Sequence, residues 1–259
     1  MKIEKIKKVD KNKYQLQLSN DEAIITYDEV ILKNNLLFKP QIDSNLLNQI
    51  NIDTRYYDIY NRVIKLISTR LRSKKEIKEY LNKLNISIED QEKIINQLAK
   101  IGLINDINFT KAYINDRTYL SNDGPNKIKK DLEEHDIDIN IIEQEITNIN
   151  QEIIYEKLKK LINKKIKNNR KYSIYQLKQK IVLDLINLGY DKDMILGCLN
   201  NQKLDNNDIL EKQYNKLYTK FSKKYTGNEL YKRIKQSLYQ KGFNIEEINN
   251  LIEQKIEGM

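Results

Sequence analysis

The sequence predicts a mainly helical protein, built of tandem three-helix repeats in an elongated curved stack, with a small β-rich segment at its N-terminus. Three observations predict this fold class. The 259 residues include only two prolines and seven glycines, and 32% of them are charged, a composition that favours helices. One type of helix start recurs four times at nearly constant spacing. A second set of helix caps follows these starts in the same register.

The recurring start is the capping box, in which Ser or Thr is followed three residues later by Glu or Gln. It occurs at 73–76, 173–176 and 226–229, each time followed at once by an apolar residue. Gly124 with Pro125 is a fourth variant, because a proline in the first helical position has no N–H to leave unbonded. The starts at 73, 124, 173 and 226 lie 51, 49 and 53 residues apart, which is the periodicity of a repeat protein.

The caps of the following helices support this register. We expect them at Ser87, Asp138, Asp191 and Asn244. They follow the four starts by 14, 14, 18 and 18 residues, and a difference of four residues is about one helical turn. The longer helices therefore keep the same face towards the core. Gly102 is expected to end one helix and Asp106 to cap the next.

The N-terminal segment, residues 1–52, differs from the rest of the chain. Apolar and polar residues alternate at 14–18, and 23–27 is an apolar, β-branched run, so both are predicted strands. A short helix is expected at 28–32 and another near 45–50. With few residues to form a core, this segment is expected to pack against the first helical repeat.

Asp53 is expected to cap the first helix of the first repeat. The last helix of the chain is expected to begin at Ile245 and to end near Ile256. The four repeats are predicted to span 53–105, 106–150, 151–205 and 206–259.

Several classes of function are excluded by composition and motifs. The sequence has no run of about 18 apolar residues and no signal peptide, so we expect a cytoplasmic protein without a membrane partner. Cys198 and His135 are the only cysteine and the only histidine, so neither an internal disulfide nor a usual zinc site is expected. No phosphate-binding loop or nucleophile motif occurs. We therefore expect a protein that is not an enzyme and that needs no cofactor.

The net charge of +9 allows a polyanionic partner, and its distribution is uneven. The predicted second repeat has 5 basic and 10 acidic residues, whereas the third has 12 basic and 6 acidic ones. A protein that docks on another protein beside nucleic acid would have a use for both. Ordinary solvated helix faces are the alternative explanation.

Clusters of Lys and Arg near the helix starts are the candidate binding residues. The cluster around Ser73 continues into the first turn of the next helix, where the helix dipole disfavours lysine, so a binding role is favoured. The lysines of the third repeat would make salt-dependent phosphate contacts with little sequence information. The candidates are Arg70, Arg72, Lys74, Lys75, Lys78, Arg117, Lys127, Lys164, Lys165, Lys167, Arg170, Lys171, Lys223 and Lys224.

Four segments carry a resemblance to a known family. RLRSKKEI at 70–77, GLIND at 102–106, FTKAY at 109–113 and GPNKI at 124–128 resemble the RecX regulatory protein family. The resemblance is specific over residues 57–145, and the architecture extends it to the whole chain.

The sequence departs from the family pattern at two places. Asn105 stands where a second acidic residue is common, and His135 and Asp136 stand where Lys-Gly is usual. We therefore expect Asp136 to close a helix in the left-handed conformation, at some strain.

The resemblance implies a modulator of RecA that lies along the helical groove of the RecA filament on single-stranded DNA. Such a protein dampens the ATPase, recombinase and coprotease activities of RecA in DNA repair, homologous recombination and the SOS response. The implied partners are the RecA filament and single-stranded DNA, with double-stranded DNA as a second candidate, and the implied state is a monomer.

Two other classes of protein are the alternatives to this one. A helical-repeat scaffold or a non-specific DNA-binding protein with another partner stays open. A helix-turn-helix regulator is disfavoured, because the third helices begin with acidic residues at 89–90 and 246–247, where phosphates would lie.

Overall fold

The computed structural model describes residues 1–38, 40–202, 204–205 and 207–257, and over these ranges the chain is mainly helical, as predicted. Thirteen helices lie in the described ranges. They are α1 (Asp28–Lys33), α2 (Ser44–Thr69), α3 (Lys74–Asn82), α4 (Ile88–Lys100), α5 (Asp106–Leu120), α6 (Pro125–Glu134), α7 (Ile139–Thr147), α8 (Gln151–Lys167), α9 (Ile174–Asn187), α10 (Lys192–Asn200), α11 (Asn207–Phe221), α12 (Gly227–Gln240) and α13 (Ile245–Glu257).

The β-rich N-terminal segment is confirmed as one antiparallel sheet. Its strands are β1 (Ile3–Lys8), β2 (Lys13–Leu18) and β3 (Ala23–Tyr27), in the order β1-β2-β3. Leu16 and Leu18 are fully buried while their neighbours in β2 are half-exposed, so the alternation seen in the sequence marks the face that meets the core. The sequence indicated β2 and β3 individually, and β1 pairs with β2 to complete the sheet.

The chain forms two compact units. One comprises Met1–Ala112 with His135–Ile137, and the other comprises Tyr113–Glu134 with Asp138–Met259. The boundaries of the four repeats remain a prediction, and residues 206, 258 and 259 of the predicted fourth repeat lie outside the described part of the chain.

Asp53 is not a helix cap, contrary to the prediction. Helix α2 runs without interruption from Asp43, whose side chain caps it, so the two helices expected on either side of residue 53 are one. The Asp53 carboxylate is 4% exposed. It accepts hydrogen bonds from Lys33 Nζ (2.7 Å), Asn34 Nδ2 (3.0 Å) and Gln49 Nε2 (3.0 Å), and these donors let a carboxylate stay buried within the helix.

Most of the other predicted caps are confirmed. Ser73 forms a full capping box, since its hydroxyl accepts from the Glu76 N–H while the Glu76 carboxylate accepts from the Ser73 N–H. Two caps differ from expectation. Asn105, not Asp106, caps α5 by accepting from the Asn108 N–H at 2.9 Å. The Thr226 side chain makes no capping hydrogen bond in the described structure. The caps that accept as predicted are Ser87, Asp138, Ser173, Asp191 and Asn244.

The second helix of each predicted repeat closes in the same way. Helices α3 and α6 have 9 and 10 residues, whereas α9 and α12 both have 14, which accounts for the four-residue shift read from the sequence. Each is followed by a residue with positive φ. These residues are Asn85 (51°), Asp136 (58°), Gly189 (84°) and Gly242 (75°), so the left-handed Asp136 is confirmed.

The starts of α3, α6 and α9 each contact the end of the second helix one predicted repeat further along. Ser73 Oγ lies 3.2 Å from His135 Nδ1, which places the single histidine at such a junction. The Gly124 N–H donates to the Leu188 carbonyl at 2.6 Å. Ser173 Oγ donates to the Lys241 carbonyl at 2.8 Å. This recurring junction holds the first turn of α9 in place beside the candidate site.

Candidate nucleic-acid interface

A groove of about 530 Å³ lies between the end of α8 and one side of α9, from Leu177 to Leu188 just beyond that helix. The intervening loop, residues 168–173, forms its edge. Helix α8 carries Lys164, Lys165 and Lys167 in its last turn, where the helix dipole favours cations. The packing therefore brings Lys164 and Lys165 to a concave surface that Lys167 does not line, a difference that the spacing of the lysines alone does not specify.

The loop is held in shape by the Asn169 side chain. Its Oδ1 accepts from the backbone N–H groups of Lys171 (3.2 Å) and Tyr172 (3.0 Å). Its Nδ2 donates to the Tyr172 carbonyl at 2.7 Å. Because both ends of one amide bind the loop backbone, the residues at 170–172 are ordered before any ligand arrives.

The cations around the groove differ in how far they are already neutralised. Lys165 Nζ lies 2.6 Å from Asp184 Oδ2, so its charge is paired within the protein. Arg170 is exposed and donates to two backbone carbonyls, those of residues 167 and 169. Within the described part of the chain, Lys164, Lys171 and Lys180 pair with no carboxylate, and all three are exposed. These lysines are therefore available for a phosphate.

The ammonium groups of two lysines, Lys171 and Lys180, lie near the ring of Tyr172. Lys171 Nζ lies 5.5 Å from the centre of its ring and Lys180 Nζ lies 5.3 Å from it. Cations at this distance are attracted to the face of the ring. Lys180 was not among the residues predicted from the sequence. Its spacing could have indicated it, because Lys180 follows Tyr172 by eight residues, as Arg233 follows Tyr225. The Arg233 guanidinium lies 5.1 Å from the centre of the Tyr225 ring.

The positive charge continues along the chain into the fourth predicted repeat. Burial lowers the pKa of Lys241, and the nearby ammonium groups of Lys216, Lys171 and Lys220 lower it further. Lys241 Nζ donates to Gln213 Oε1 at 2.7 Å, which keeps the ammonium group solvated by the protein. The predicted residues Lys223 and Lys224 are exposed in the turn between α11 and α12.

The basic cluster around Ser73 is partly neutralised. Arg70 and Arg72 both approach the carboxylate of Glu76. Burial raises the pKa of Glu76, but the hydrogen bonds from Arg70 and the Ser73 N–H lower it by more. The remaining predicted residues of this cluster are Lys74 and Lys78, which are exposed, and Lys75, which lies 3.3 Å from Asp136 Oδ1.

Arg117 and Lys127 both contact the buried carboxylate of Asp123. Asp123 accepts from Lys127 Nζ at 2.7 Å and lies 3.3 Å from the Arg117 guanidinium, which also contacts Tyr113 Oη at 2.8 Å. Burial raises the pKa of Asp123, and the hydrogen bonds from Lys127 and Ser121 lower it below its ordinary value. Both cations thus have a structural partner, and the structure does not bring them into the groove.

Lys157 is a structural lysine that sequence analysis counted among the basic residues of its repeat. Its ammonium group donates to the carbonyls of Arg117 (3.2 Å), Thr118 (2.9 Å) and Asp123 (3.1 Å). Burial lowers its pKa. It therefore completes the last turn of α5 instead of facing a ligand.

Among the described residues, His, Cys, Asp and Glu side chains nowhere gather in a group of three that could hold a metal ion. In the same part of the chain, no helix is both long and apolar enough to cross a membrane.

Solved structures share the architecture. The crystal structure of a regulatory protein RecX superposes with a TM-score of 0.67 over 78% of this chain and 99% of the other, at 22% identity, which shows a common fold. The crystal structure of RecX from Lactobacillus salivarius gives a TM-score of 0.51 at 29% identity, over 56% of this chain and 94% of the other.

Sequence comparisons identify the family. Residues 205–252 match the family description "RecX, third three-helix domain". The regulatory protein RecX of Bacillus cytotoxicus is 30% identical over 233 residues, covering 88% of this chain and 86% of the relative. That of Bacillus cereus (strain 03BB102) is 31% identical over 265 residues, covering 99% and 97%. With this identity along nearly the whole of both chains, the chain belongs to the RecX regulatory protein family.

Proposed function

We propose that this protein binds the RecA filament on single-stranded DNA and lowers the ATPase, recombinase and coprotease activities of RecA. It acts in the cytoplasm as a monomer and performs no chemistry of its own. Family membership supports the regulatory role. We also propose that its helical part consists of four three-helix repeats, bounded at residues 53–105, 106–150, 151–205 and 206–259, each of which has a different balance of charge.

The observation that carries the proposal is the basic groove between α8 and α9. Its exposed lysines are arranged along a concave surface whose loop is already ordered. Such a surface suits the phosphates of a nucleic acid held within a filament, because point charges on a rigid scaffold bind a regular backbone without reading its sequence. The acidic second repeat, with 5 basic and 10 acidic residues, suits a basic surface on the protein partner.

The experiment is a titration of the single-strand-stimulated ATPase of RecA with this protein, at low and at moderate salt, beside its binding to bare DNA. We expect the ATPase rate to fall at protein concentrations well below those that saturate the DNA. We also expect the inhibition to survive moderate salt, because part of the contact is with the filament protein.

Charge reversal in the third repeat tests the surface. Lys164→Glu, Lys165→Glu and Lys167→Glu together are expected to weaken binding to the filament by at least about tenfold. Lys130→Glu is a single-site control for charge reversal outside the groove, since Lys130 is an exposed lysine of α6 without a carboxylate partner in the described structure. Equal filament affinity of the triple variant and the control would rule out this surface as the contact.

A non-specific DNA-binding protein is the competing function, favoured by the same basic groove. It predicts that inhibition of the ATPase follows DNA coverage and disappears as salt rises. That result would assign the protein to competition for DNA and would leave a different partner to be found.

A further inference from the structure

The groove between α8 and α9 has an apolar floor as well as a cationic rim. The floor is formed by Leu161, Leu177, Ile181 and Leu188. The amide side chains of Asn122 and Asn168 also line the groove and offer both donors and acceptors. A site that only paired with phosphates or carboxylates would have no use for an apolar recess, since anions gain nothing from contact with leucine side chains.

The rim and the floor together match the two halves of a nucleotide. Lys164, Lys171 and Lys180 provide ammonium groups for phosphates, and Tyr172 provides an aromatic edge beside them. A nucleobase is a flat, largely apolar ring with polar edges, which fits a recess that has an aliphatic floor and amides at its border. The groove volume of about 530 Å³ is in the range of small-molecule sites.

We infer that this groove binds one nucleotide of a single-stranded nucleic acid. The base leaves its stack and enters the apolar recess, and the flanking phosphates contact Lys164, Lys171 and Lys180. This site extends the proposed function, and it rests on that function only because it assumes that the anionic ligand is a nucleic acid. A duplex keeps its bases paired and stacked, so it can reach the rim but cannot fill the recess.

The loop geometry supports this assignment independently of charge. The three hydrogen bonds from the Asn169 side chain fix the backbone of Lys171 and Tyr172 at the border of the recess. Lys165 and Asp184 also line the groove and neutralise each other, so Lys164, Lys171 and Lys180 are the lining lysines that remain open to a phosphate. The groove thus offers both unpaired cations and apolar side chains, as a nucleotide requires.

The test compares two fluorescein-labelled oligonucleotides of equal length and equal charge, one of thymidines and one of abasic residues throughout. Binding is measured by fluorescence anisotropy on the full chain without RecA. We expect the thymidine strand to bind at least about tenfold more tightly, as base stacking and burial add to phosphate contacts. Equal affinities would overturn the inference, since they would leave only the phosphates as ligands.

Variants separate the recess from the rim. Leu161→Gln changes the polarity of the floor at a half-exposed position without changing charge, and is expected to reduce the preference for thymidine over abasic strand to less than about threefold. Lys180→Glu is expected to weaken binding to both strands, whereas the control Lys130→Glu is expected to leave both unchanged. Helical circular dichroism of each variant verifies that it is folded.

The remaining outcomes decide between ligands. Displacement of the thymidine strand by poly-glutamate at a similar concentration of charges would overturn the inference in favour of an acidic protein surface. If the natural protein binds thymidine and abasic strands equally but still inhibits the RecA ATPase, base binding in the recess is refuted and the proposed function stands. Thymidine preference without any effect on the ATPase would support the recess and refute the proposed function.

Discussion

Individual charged residues in this protein have two different uses that their residue type does not distinguish. Lys157 and Lys164 both lie in α8, yet the first donates to three backbone carbonyls and the second is exposed beside the groove. Asp53 shows the same for carboxylates, since it is buried within a helix where an acidic residue would ordinarily be exposed. The charges of Lys157 and Asp53 are therefore structural components of the fold.

Replacement of Lys157 tests this structural use. Lys157→Met is expected to lower the free energy of unfolding by about 1–3 kcal/mol, because buried carbonyls lose a charged donor. The measurement is urea unfolding followed by circular dichroism. Lys160→Met, at an exposed position of the same helix, is the control and is expected to change stability by less than about 0.5 kcal/mol. Equal stability of the two variants would contradict the role assigned to Lys157.

Asp53 predicts an acid dependence of stability. Burial raises its pKa, but the hydrogen bonds from Lys33, Asn34 and Gln49 lower it by more, so the pKa in the folded state lies below the ordinary value. The stabilisation is therefore fully present above the unfolded pKa of about 3.9 and is lost as the pH falls through the folded pKa.

Asp53→Asn is the corresponding variant. We expect it to be about 2 kcal/mol less stable than the natural protein near neutral pH, with a smaller further loss between about pH 5 and 3. Asp116→Asn, at an exposed position of α5, is the control and should follow the natural protein throughout. The measurement is the urea midpoint of unfolding across this pH range. If the midpoints of Asp53→Asn and of the natural protein change with pH in parallel, the prediction is contradicted.

At the scale of elements, the recurring junction between helix starts and helix ends is the main packing feature. At Ser73 and at Ser173 the contact is made by the serine hydroxyl, whereas at Gly124 it is a hydrogen bond between backbone groups. A Cβ on Gly124 would lie 2.6 Å from the carbonyl carbon and oxygen of Gly189. The backbones of two helix ends thus approach more closely than any side chain allows, which explains Gly-Pro in place of a capping box.

Substitution of Gly124 measures this approach. Gly124→Ala is expected to destabilise the protein by at least about 2 kcal/mol, since backbone must move to admit the methyl group. Gly197→Ala is the matched control, because its Cβ would meet nothing within 4 Å inside α10, and it is expected to stabilise by about 0.5–1 kcal/mol. Opposite signs of the two changes in thermal or urea unfolding are the expected result. A neutral Gly124→Ala would show that the junction is not tightly packed.

The helix end at Asp136 stores a small strain. Its φ of 58° costs an ordinary residue about 1 kcal/mol that glycine avoids. The ion pair that its side chain makes with Lys75 is largely exposed and contributes less than this. Asp136→Gly is therefore expected to stabilise by about 0.5–1 kcal/mol in urea unfolding, and Asn85→Gly, with a φ of 51°, should shift stability in the same direction. Destabilisation by both would mean that these side chains hold contacts worth more than the strain.

On the scale of the whole molecule, charge is distributed by repeat instead of evenly. The net charge is +9, yet the predicted second repeat is acidic and its cations at 117 and 127 serve Asp123. Exposed lysines without a carboxylate partner in the described structure gather around the α8–α9 groove and in the turn after α11, and single ones occur elsewhere, among them Lys74, Lys78 and Lys130. Such a division allows one end of the chain to meet phosphates while another part meets protein, which is the use that the proposed function requires.

Salt dependence of binding to single strands tests this division. The variant with Lys171→Ala and Lys180→Ala is expected to reduce the slope of log affinity against log salt by about 0.7 for each phosphate contact removed. Lys130→Ala, in the acidic repeat, should leave the slope unchanged. A slope that falls equally in both variants would indicate a diffuse charge effect without a defined surface.

Local patterns alone determined much of this fold. The capping box at Ser73, the Gly-Pro start, the left-handed Gly102 and the strands β2 and β3 depend on residues within four positions of one another, so a linear sequence displays them. The same patterns specified the basic cluster of the third repeat and the family resemblance. They could not show that Asp53 lies inside one long helix, because its partner Lys33 is 20 residues away.

Tertiary packing decided which charges are free and what surrounds them. Lys165 meets Asp184 across 19 residues, and Lys157 meets carbonyls that lie 34 to 40 residues away. The apolar floor of the groove likewise comes from two helices, with Leu161 on α8 and Ile181 on α9. A sequence gives the type and the local spacing of these side chains, but pairing and burial depend on distances between helices, which only the folded chain fixes.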